Sequence, residues 1–510
     1  MTTATASAQA QAGEPGAKGL KGGALGFVSS VVIGVSSTAP AYSLASSLGL
    51  VVLAVGFQAP AIMILAFVPM LFIAAAYYYL NRADPDCGTT FSWVTKAMGP
   101  WAGWIGGWGI IVADIIVMAN LSQIAGLYTF ALFGITDPDP NAVLAVGVAW
   151  IVLMTFICYV GIEVSARVQV GLLTAEILIL GLFAVVALGR VYFGNVPDSV
   201  APSLTWLNPF AISDPAALAT GLIVAIFIYW GWDSTVTVNE ESEDATEGPG
   251  KAAIVSTFIL LGTYVIVSVA AQAFHGAAFL ADPNNSGDVL GALGTDVLGS
   301  PMDKLLILAV LTSASASTQT TILPTARTVL SMSAKGAIPQ YWARIHPRYL
   351  TPSTATIGMG VFSVIWYVGL TFLSTNVLGD SIAALGLMIA FYYGLTGFAC
   401  AIFYRHQLLK SPKNLLLIGV LPVTGGIFLT WALVQSVITL SDPNCSTCSG
   451  SEVGGIGLPV VIAGVFMLAG VVLMIAQRFY RPAFFRRKPE VVDPAIHHGH
   501  HPASTGTGGI

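Results

Sequence analysis

Long apolar segments are the feature that most restricts what this chain can fold into. Twelve of them reach or approach the roughly 20 residues that an α-helix needs to cross the hydrocarbon core of a bilayer. Of the 510 residues, 55% are apolar and only 9% are charged, a balance that no single water-soluble core could bury. We predict an all-α integral membrane protein with twelve transmembrane helices. Their predicted bounds are 24–50, 55–80, 103–133, 141–160, 167–190, 215–239, 252–278, 304–332, 353–374, 380–404, 414–440 and 456–478.

The basic residues lie almost entirely on one side of these helices. Of the 20 Lys and Arg, only Arg190 and Lys304 fall in loops that this arrangement places outside. Because Lys and Arg accumulate in cytoplasmic loops, we expect both termini in the cytoplasm and the protein in the plasma (inner) membrane. Residues 1–23 and 486–510 have the composition of disordered cytoplasmic tails. The net charge of −5 argues against nucleic acid as a partner.

The first predicted helix is interrupted near its middle. Within VVIGVSSTAPAYSLA, residues 31–45, Pro40 removes a hydrogen-bond donor. The weak helix formers before it are Gly34, Ser36, Ser37 and Thr38.

The sixth predicted helix is interrupted at a matching place. Within FIYWGWDSTVTVNEE, residues 227–241, Gly231 and Asp233 break an otherwise apolar run. Because unsatisfied backbone is costly in hydrocarbon, a spanning helix breaks only where it is buried in protein or lines a cavity. Paired breaks indicate an inverted-repeat transporter with its site at the midplane, where half-helix N-termini suit a carboxylate and exposed carbonyls suit an ammonium. The alternative is a proline kink and a packing glycine, which are both common in membrane helices.

Four stretches resemble, in the same order, motifs of the amino acid–polyamine–organocation (APC) permease superfamily. They are DPDCGTTFSWVTKAMGPWAGWIGGW (84–108), VSARVQ (164–169), WGWDSTVTVNEESEDATEGPGKA (230–252) and ARTVLSMSAKGAIPQYWARIHPRYLTPSTA (326–355). The resemblance implies a five-plus-five inverted repeat (the LeuT-like fold) with broken helices 1 and 6 and two extra helices. The first repeat would span residues 24–190, the second 215–404, and the last two helices 414–478. Ser36, Ser37 and Thr38 stand where the superfamily has a glycine-rich element.

Three acidic residues, Asp114, Glu176 and Asp233, lie deep within the predicted helices. A charge at that depth costs at least a few kcal/mol, so each is a candidate functional group. The resemblance implies that Asp114 faces the solute, where it would favour cationic amino acids, diamines or other amines. A hydrogen bond to Asn120 or Ser122 is its structural alternative.

The other two carboxylates are candidates for coupling transport to protons. The resemblance places Asp233 near a proton-sensitive inner gate, and its alternative role is a helix cap. Glu176 stands where the cationic-amino-acid branch has a lysine in place of a sodium ion, so a protonatable carboxyl there could carry the coupled proton. Alternatively, Glu176 is protonated and packed against the hydroxyls of Ser317 and Thr318.

Two aromatic residues, Phe227 and Trp230, flank the second break. The resemblance gives Phe227 the role of a lid over the solute, and an aromatic ring can also stack on a cation. The predicted solute-binding residues are Gly34, Ser36, Ser37, Thr38, Asp114, Phe227, Trp230, Gly231 and Asp233. The predicted coupling residues are Glu176, Asp233, Ser317 and Thr318. We predict no metal site, no catalytic residue and no cofactor.

The predicted function is secondary active transport of amino acids or related amines, by proton symport or exchange with alternating access. A neutral amino-acid uniporter or exchanger with a structural Asp114 is the alternative. A nutrient sensor would usually add a regulatory domain, and a channel would need a continuous polar pore. A membrane enzyme is disfavoured because His275 and His346 lie near opposite faces. The oligomeric state is left open, as is a disulfide between Cys445 and Cys448.

Overall fold

Helices make up nearly all of the regular structure. The computed structural model describes residues 18–489 apart from residues 136, 195, 375 and 446–449, so the pairing of Cys445 with Cys448 lies outside the described residues. In the first half the helices are α1 (Phe27–Ser37), α2 (Pro40–Val55), α3 (Ala59–Ala83), α4 (Thr90–Met98), α5 (Pro100–Leu132), α6 (Pro140–Val160) and α7 (Ile162–Phe193).

The second half contains further helices and one small hairpin. The helices are α8 (Pro215–Ile228), α9 (Ser234–Thr237), α10 (Gly248–Ala281), α11 (Val289–Leu298), α12 (Lys304–Ala334), α13 (Ser353–Leu373), α14 (Val377–Phe403), α15 (Pro412–Asn414), α16 (Leu421–Ser441), α17 (Leu458–Tyr480) and α18 (Pro482–Phe485). A π-helical segment, Leu415–Val420, joins α15 to α16. Strands β1 (Glu452–Val453) and β2 (Ile456–Gly457) pair antiparallel before α17. Short 3₁₀ segments are Gly56–Gln58, Leu204–Leu207, Pro209–Ala211, Asn239–Glu241, Gln340–Ala343 and Leu408–Lys410.

Ten helical stretches in the described part of the chain are long and apolar enough to cross a membrane. The first of them, Phe27–Ala83, contains α1, α2 and α3, whereas α8 is apolar but shorter. The prediction of an all-α, multi-pass membrane protein is therefore confirmed, with the two-stranded hairpin as a small addition.

The first break lies between α1 and α2. Helix α1 ends at Ser37, and Ala39 adopts a left-handed backbone conformation with φ 48° and ψ 66°. That conformation costs a non-glycine residue about 1–3 kcal/mol, so the surrounding contacts must hold it. Pro40 then starts α2, where a missing N–H and a fixed φ are tolerated.

The second break lies between α8 and α9. Helix α8 ends at Ile228, and the chain resumes a helical path only at Ser234. Gly231 has φ 120°, which is readily adopted only by glycine. A Cβ atom at this position would lie 2.7 Å from the carbonyl oxygen of Ser37, so the two breaks meet at Gly231.

Helix α12 provides the polar centre of the molecule. It packs against α5, α6, α7 and α13 and against both halves of the broken first helix. Its buried polar residues are Ser313, Ser315, Ser317, Thr318, Gln319, Thr320, Thr321, Thr325, Arg327, Thr328, Ser331 and Ser333. In a helix of a membrane protein, such residues face other helices rather than lipid, because their polar groups need partners.

The segment before α1 is packed against the bundle. The backbone amides of Ala24 and Leu25 donate to the carbonyl oxygen of Glu241 at 2.8 and 3.0 Å, and Leu20 and Leu25 are each 1% exposed. This differs from the disordered tail expected over residues 1–23, because residues 18–23 find partners in distant loops. Residues 1–17 and 490–510 of the two expected tails lie outside the described residues.

Candidate functional site

The two helix breaks touch through a pair of serines. The hydroxyl oxygens of Ser37 and Ser234 lie 2.7 Å apart, and the hydroxyl of Ser317 in α12 donates to the carbonyl oxygen of Ser37 at 2.8 Å. Gly231 packs directly on the same carbonyl group. Ser37 therefore joins both breaks to the polar face of α12.

A carboxylate lies at the start of α2. Oε1 of Glu176, in α7, accepts a hydrogen bond from the backbone amide of Ala41 at 2.7 Å and another from the hydroxyl of Ser313 at 2.8 Å. The amide of Tyr42 donates to the same serine hydroxyl at 3.2 Å. Glu176 thus occupies the N-terminal end of α2, where a negative charge is stabilised by the helix dipole.

The expected neighbours of Glu176 make other contacts. Ser317 bonds to the first break, and Thr318 donates to the carbonyl oxygen of Ala314 on its own helix at 2.8 Å. A hydroxyl of α12 does hold Glu176, as its structural alternative supposes, but the hydroxyl belongs to Ser313. Oε2 of Glu176 has no hydrogen-bond partner among the described residues.

Two tyrosines hold Asp233. The hydroxyl of Tyr393 donates to Oδ1 at 2.8 Å and that of Tyr392 donates to Oδ2 at 3.2 Å. The indole N–H of Trp230 donates to the Tyr392 hydroxyl, so this predicted solute contact is linked to Asp233. Neither tyrosine was among the site residues predicted from the sequence. The signal was available, since adjacent tyrosines inside an apolar span need polar partners for their hydroxyls.

Asp114 is bonded to helix α12. The hydroxyl of Thr325 donates to Oδ2 at 2.5 Å. The alternative partners expected from sequence are placed differently. Asn120 accepts a hydrogen bond from the hydroxyl of Tyr42 at 3.1 Å. The buried hydroxyl of Ser122 has no partner among the described residues. Asp114 therefore does have a hydroxyl partner, but across the bundle rather than along its own helix.

The three carboxylates are buried without a cation. Asp114, Glu176 and Asp233 are 2%, 0% and 4% exposed. Over the described ranges, none of them forms an ion pair with Lys, Arg or His. Because an isolated buried charge is costly, each of these groups must either be protonated or meet a cation from outside the chain.

The remaining predicted site residues have more local roles. Gly34 allows close packing, since a Cβ there would lie 2.5 Å from the hydroxyl oxygen of Ser256 in α10. The hydroxyl of Thr38 donates to the carbonyl oxygen of Val35 at 2.7 Å, within its own helix end. Ser36 is fully buried, and Phe227 is 6% exposed beside the second break.

A buried ion pair lies beyond the second break. Nε of Arg327 and Oε2 of Glu241 are 2.5 Å apart, and the other guanidinium contact with Oε1 is 2.8 Å. Both side chains are almost fully buried, at 2% and 0% exposure. This bidentate pair connects α12 to the loop after α9 at the end of the bundle that carries most basic residues.

A second ionic cluster covers the same end. The ammonium of Lys18 lies 2.9 Å from Asp86 and 2.5 Å from Glu240, and Lys335 lies 2.8 Å from Asp86. Burial acts to raise the pKa of Asp86, but Lys335 and Lys18 outweigh it and hold that pKa well below its usual value. Asp86, Glu240 and Cys87 come close enough to ligate a metal, yet the Lys18 ammonium already contacts all three. The cluster joins the segment before α1, the loop after α3 and the end of α12 by ion pairs.

Several known transporters resemble this chain in sequence. A sequence model described as "Amino acid permease" matches residues 25–479. An uncharacterized transporter of Mycobacterium tuberculosis is 25% identical over 57% of this chain and 63% of its own length. The Asc-type amino acid transporter 1 of Mus musculus is 23% identical over 82% of this chain and 72% of its own. The low-affinity putrescine importer PlaP of Escherichia coli is 21% identical over 71% and 77%. The chain spans less than two thirds of the mycobacterial relative.

Proposed function

Since this chain belongs to the amino acid permease family, we propose that it is a secondary active transporter of amino acids or related amines. The observation that carries the proposal is the direct contact between two broken helices, Ser37 against Ser234, beside buried carboxylates that have no basic partner in the described part of the chain. Broken membrane helices that meet at one point are a feature of solute sites in secondary transporters. The relatives named above include an amino acid transporter and a putrescine importer.

We further propose twelve membrane spans arranged as a five-plus-five inverted repeat with two additional helices. The stretch Phe27–Ala83 would then contain two spans, one formed by the interrupted pair α1 and α2 and one by α3. The interrupted pair α8 and α9 adds another, so the ten apolar stretches correspond to twelve spans. The spans other than the two interrupted pairs are α3, α5, α6, α7, α10, α12, α13, α14, α16 and α17. The first repeat would comprise residues 24–190 and the second residues 215–404. Each break then lies in the first span of its repeat.

The basic end of the bundle is proposed to be cytoplasmic, in the plasma membrane, with both termini on that side. The Arg327–Glu241 pair and the Lys18–Asp86–Lys335 cluster would then form the inner gate. Labelling of single-cysteine variants at Asp137 and at Lys21 in intact cells tests this orientation. We expect an impermeant reagent to reach only the position at Asp137, and labelling at Lys21 alone would contradict the orientation.

The carboxylates are assigned complementary roles. Asp114 accepts a hydrogen bond from α12 and Asp233 accepts two from α14. We propose that these two carboxylates bind the amino group of the solute. Glu176 reaches the first break, so a change in its protonation would alter the hydrogen bond to Ala41 and the position of α2. Solute movement would thereby be coupled to proton movement. If Glu176 keeps its proton throughout the cycle, the protein would instead exchange one solute for another.

Counterflow in proteoliposomes tests the proposed function. The purified protein is reconstituted with an unlabelled amino acid or polyamine inside, and entry of the labelled compound is followed with and without a pH gradient. We expect accumulation of label with at least one such compound, and a Ser37→Phe variant of normal folded yield should show none. Equal counterflow by wild type and by empty liposomes for every compound would contradict the proposal.

A further inference from the structure

The first helix break offers no unoccupied backbone donor. Its six residues Thr38 to Ser43 would normally expose several N–H groups at the start of a half-helix. The amides of Thr38 and Ala39 donate to the carbonyl oxygens of Val35 and Ser36 at 3.2 and 3.1 Å, and that of Ser43 donates to Ala39 at 2.8 Å.

Side chains from two other helices take the remaining donors. The amide of Ala41 donates to Glu176 and that of Tyr42 donates to Ser313, while Pro40 has no N–H. Every backbone nitrogen in this stretch is therefore either bonded or unable to donate. The protein places its own carboxylate at the point where a helix N-terminus would bind the carboxylate of a solute.

The amides that follow Asp233 in the second break are also bonded. The amides of Ser234, Thr235 and Val236 donate to carbonyl oxygens within the break, at 3.0, 3.4 and 2.9 Å. The side chain that opens this segment is Asp233, which would repel a solute carboxylate whenever it is ionised.

An arginine on the same helix as the partner of Asp114 is also engaged. Arg327 lies two residues after Thr325, the partner of Asp114. Its guanidinium is bound by Glu241 through Nε and one terminal nitrogen, and the other terminal nitrogen donates to the carbonyl oxygen of Leu323 at 3.3 Å. It therefore cannot neutralise a solute carboxylate without breaking a fully buried ion pair.

On the premise of the transport function above, we propose that the solute is an amine without a carboxylate, rather than an α-amino acid. The groups around the breaks are carboxylates and hydroxyls, which accept hydrogen bonds from an ammonium. A carboxylate at the first break would meet the carboxyl group of Glu176 and no free backbone N–H group. An amine with the same carbon framework lacks the group that finds no backbone donor at the first break, and its ammonium can bond to the carboxylates.

Matched pairs of compounds test this assignment, because each pair differs only by the carboxylate. The probes are lysine with cadaverine, ornithine with putrescine, and phenylalanine with phenethylamine, in proteoliposome counterflow. We expect at least one amine to compete roughly tenfold or more better than its amino acid, the order of effect of one charge-assisted hydrogen bond. Transport of an amino acid as good as or better than that of its amine, in every pair that is transported, would overturn the assignment alone. Transport of none of the six would overturn the assignment, and the absence of counterflow with every other amino acid and polyamine as well would overturn the proposed function with it.

A variant provides an independent readout. Glu176→Ala frees the amide of Ala41, so competition by the amino acid of a pair should improve relative to its amine by several-fold. Ser315→Ala, which removes a buried hydroxyl on α12 with no partner among the described residues, serves as the control and should leave the ratio unchanged. An unchanged ratio in a folded Glu176→Ala protein would overturn the assignment. If that variant does not fold, the matched pairs on the wild-type protein still decide.

Discussion

The hydroxyl oxygens of Ser37 and Ser234 lie 2.7 Å apart although 197 positions separate the two residues in the chain. Each serine belongs to a helix that is interrupted at that place, one by Ala39 and Pro40, the other by Gly231. The contact therefore brings two sets of irregular backbone together inside a bundle of apolar helices. Such an arrangement is stable only because side chains of α7, α12 and α14 satisfy the polar groups.

Replacement of Gly231 tests how closely the two breaks must approach. In Gly231→Ala the new Cβ would lie 2.7 Å from the carbonyl oxygen of Ser37, at a backbone φ of 120°. We expect a loss of about 1–3 kcal/mol in stability and a strong loss of counterflow. Gly171→Ala is the matched control, because its Cβ meets no atom within 4 Å. Equal thermal stability and transport of the two variants would show that close approach is unnecessary.

The buried Arg327–Glu241 pair should be strongly coupled energetically. Arg327→Met leaves a carboxylate buried and unpaired, and Glu241→Leu leaves a guanidinium unpaired, so each should destabilise by about 3–5 kcal/mol. The double variant should lose much less than the sum, because neither charge remains. Thermal unfolding of the four proteins in detergent measures this cycle. Strictly additive losses would show that the two side chains do not stabilise each other.

Asp114 should determine affinity for positively charged amines. Asp114→Asn retains the shape and removes the charge, so we expect competition by basic solutes to weaken roughly tenfold or more, and that by neutral amino acids much less. Asp137→Asn removes an exposed acid and controls for the change in net charge. If both variants bind basic solutes as the wild type does, Asp114 has only the structural bond to Thr325.

The sequence predicted the parts of this site that depend on local signals. Apolar length located the spanning helices, and Pro40 and Gly231 located the breaks, because each changes the backbone at its own position. The burial of Asp114, Glu176 and Asp233 also followed from their places within apolar runs.

The partners of these groups could not be predicted in the same way. Tyr393 is 160 positions from Asp233, Thr325 is 211 from Asp114, and Ser313 is 137 from Glu176. Which turn of α12 or α14 faces a carboxylate depends on how the helices cross, and no local pattern encodes that. The ordered segment at Lys18 was missed for the same reason, since its partners lie in two distant loops.

The ion pairs of Asp86 at the basic end of the bundle should persist over the physiological pH range. A carboxyl whose pKa is lowered on folding stabilises the folded state above its unfolded pKa, about 3.9, and loses this contribution only as pH falls through the folded value. Asp86 is such a group. We expect Asp86→Asn to destabilise by about 1–3 kcal/mol. The difference in thermal midpoint from wild type should be constant from about pH 8 to pH 5 and shrink below about pH 4.

The same variant should expose the thiol of Cys87, which is buried beside Lys18. Maleimide labelling of Cys87 should rise several-fold in Asp86→Asn, in a background without Cys158 and Cys400. Glu163→Gln removes an exposed ion pair with Lys21 and is the control, because such pairs contribute little. Equal labelling in both variants would mean that the cluster does not close this face.

Cross-linking of the two breaks tests most directly whether the solute passes between them. A Ser37→Cys/Ser234→Cys protein without Cys87, Cys158 and Cys400 places two thiols where the hydroxyl oxygens are 2.7 Å apart, which is close enough for a disulfide after a small adjustment. We predict that oxidation stops counterflow and that a reductant restores it, while each single-cysteine protein is unaffected by either treatment. Undiminished counterflow by fully cross-linked protein would contradict the account.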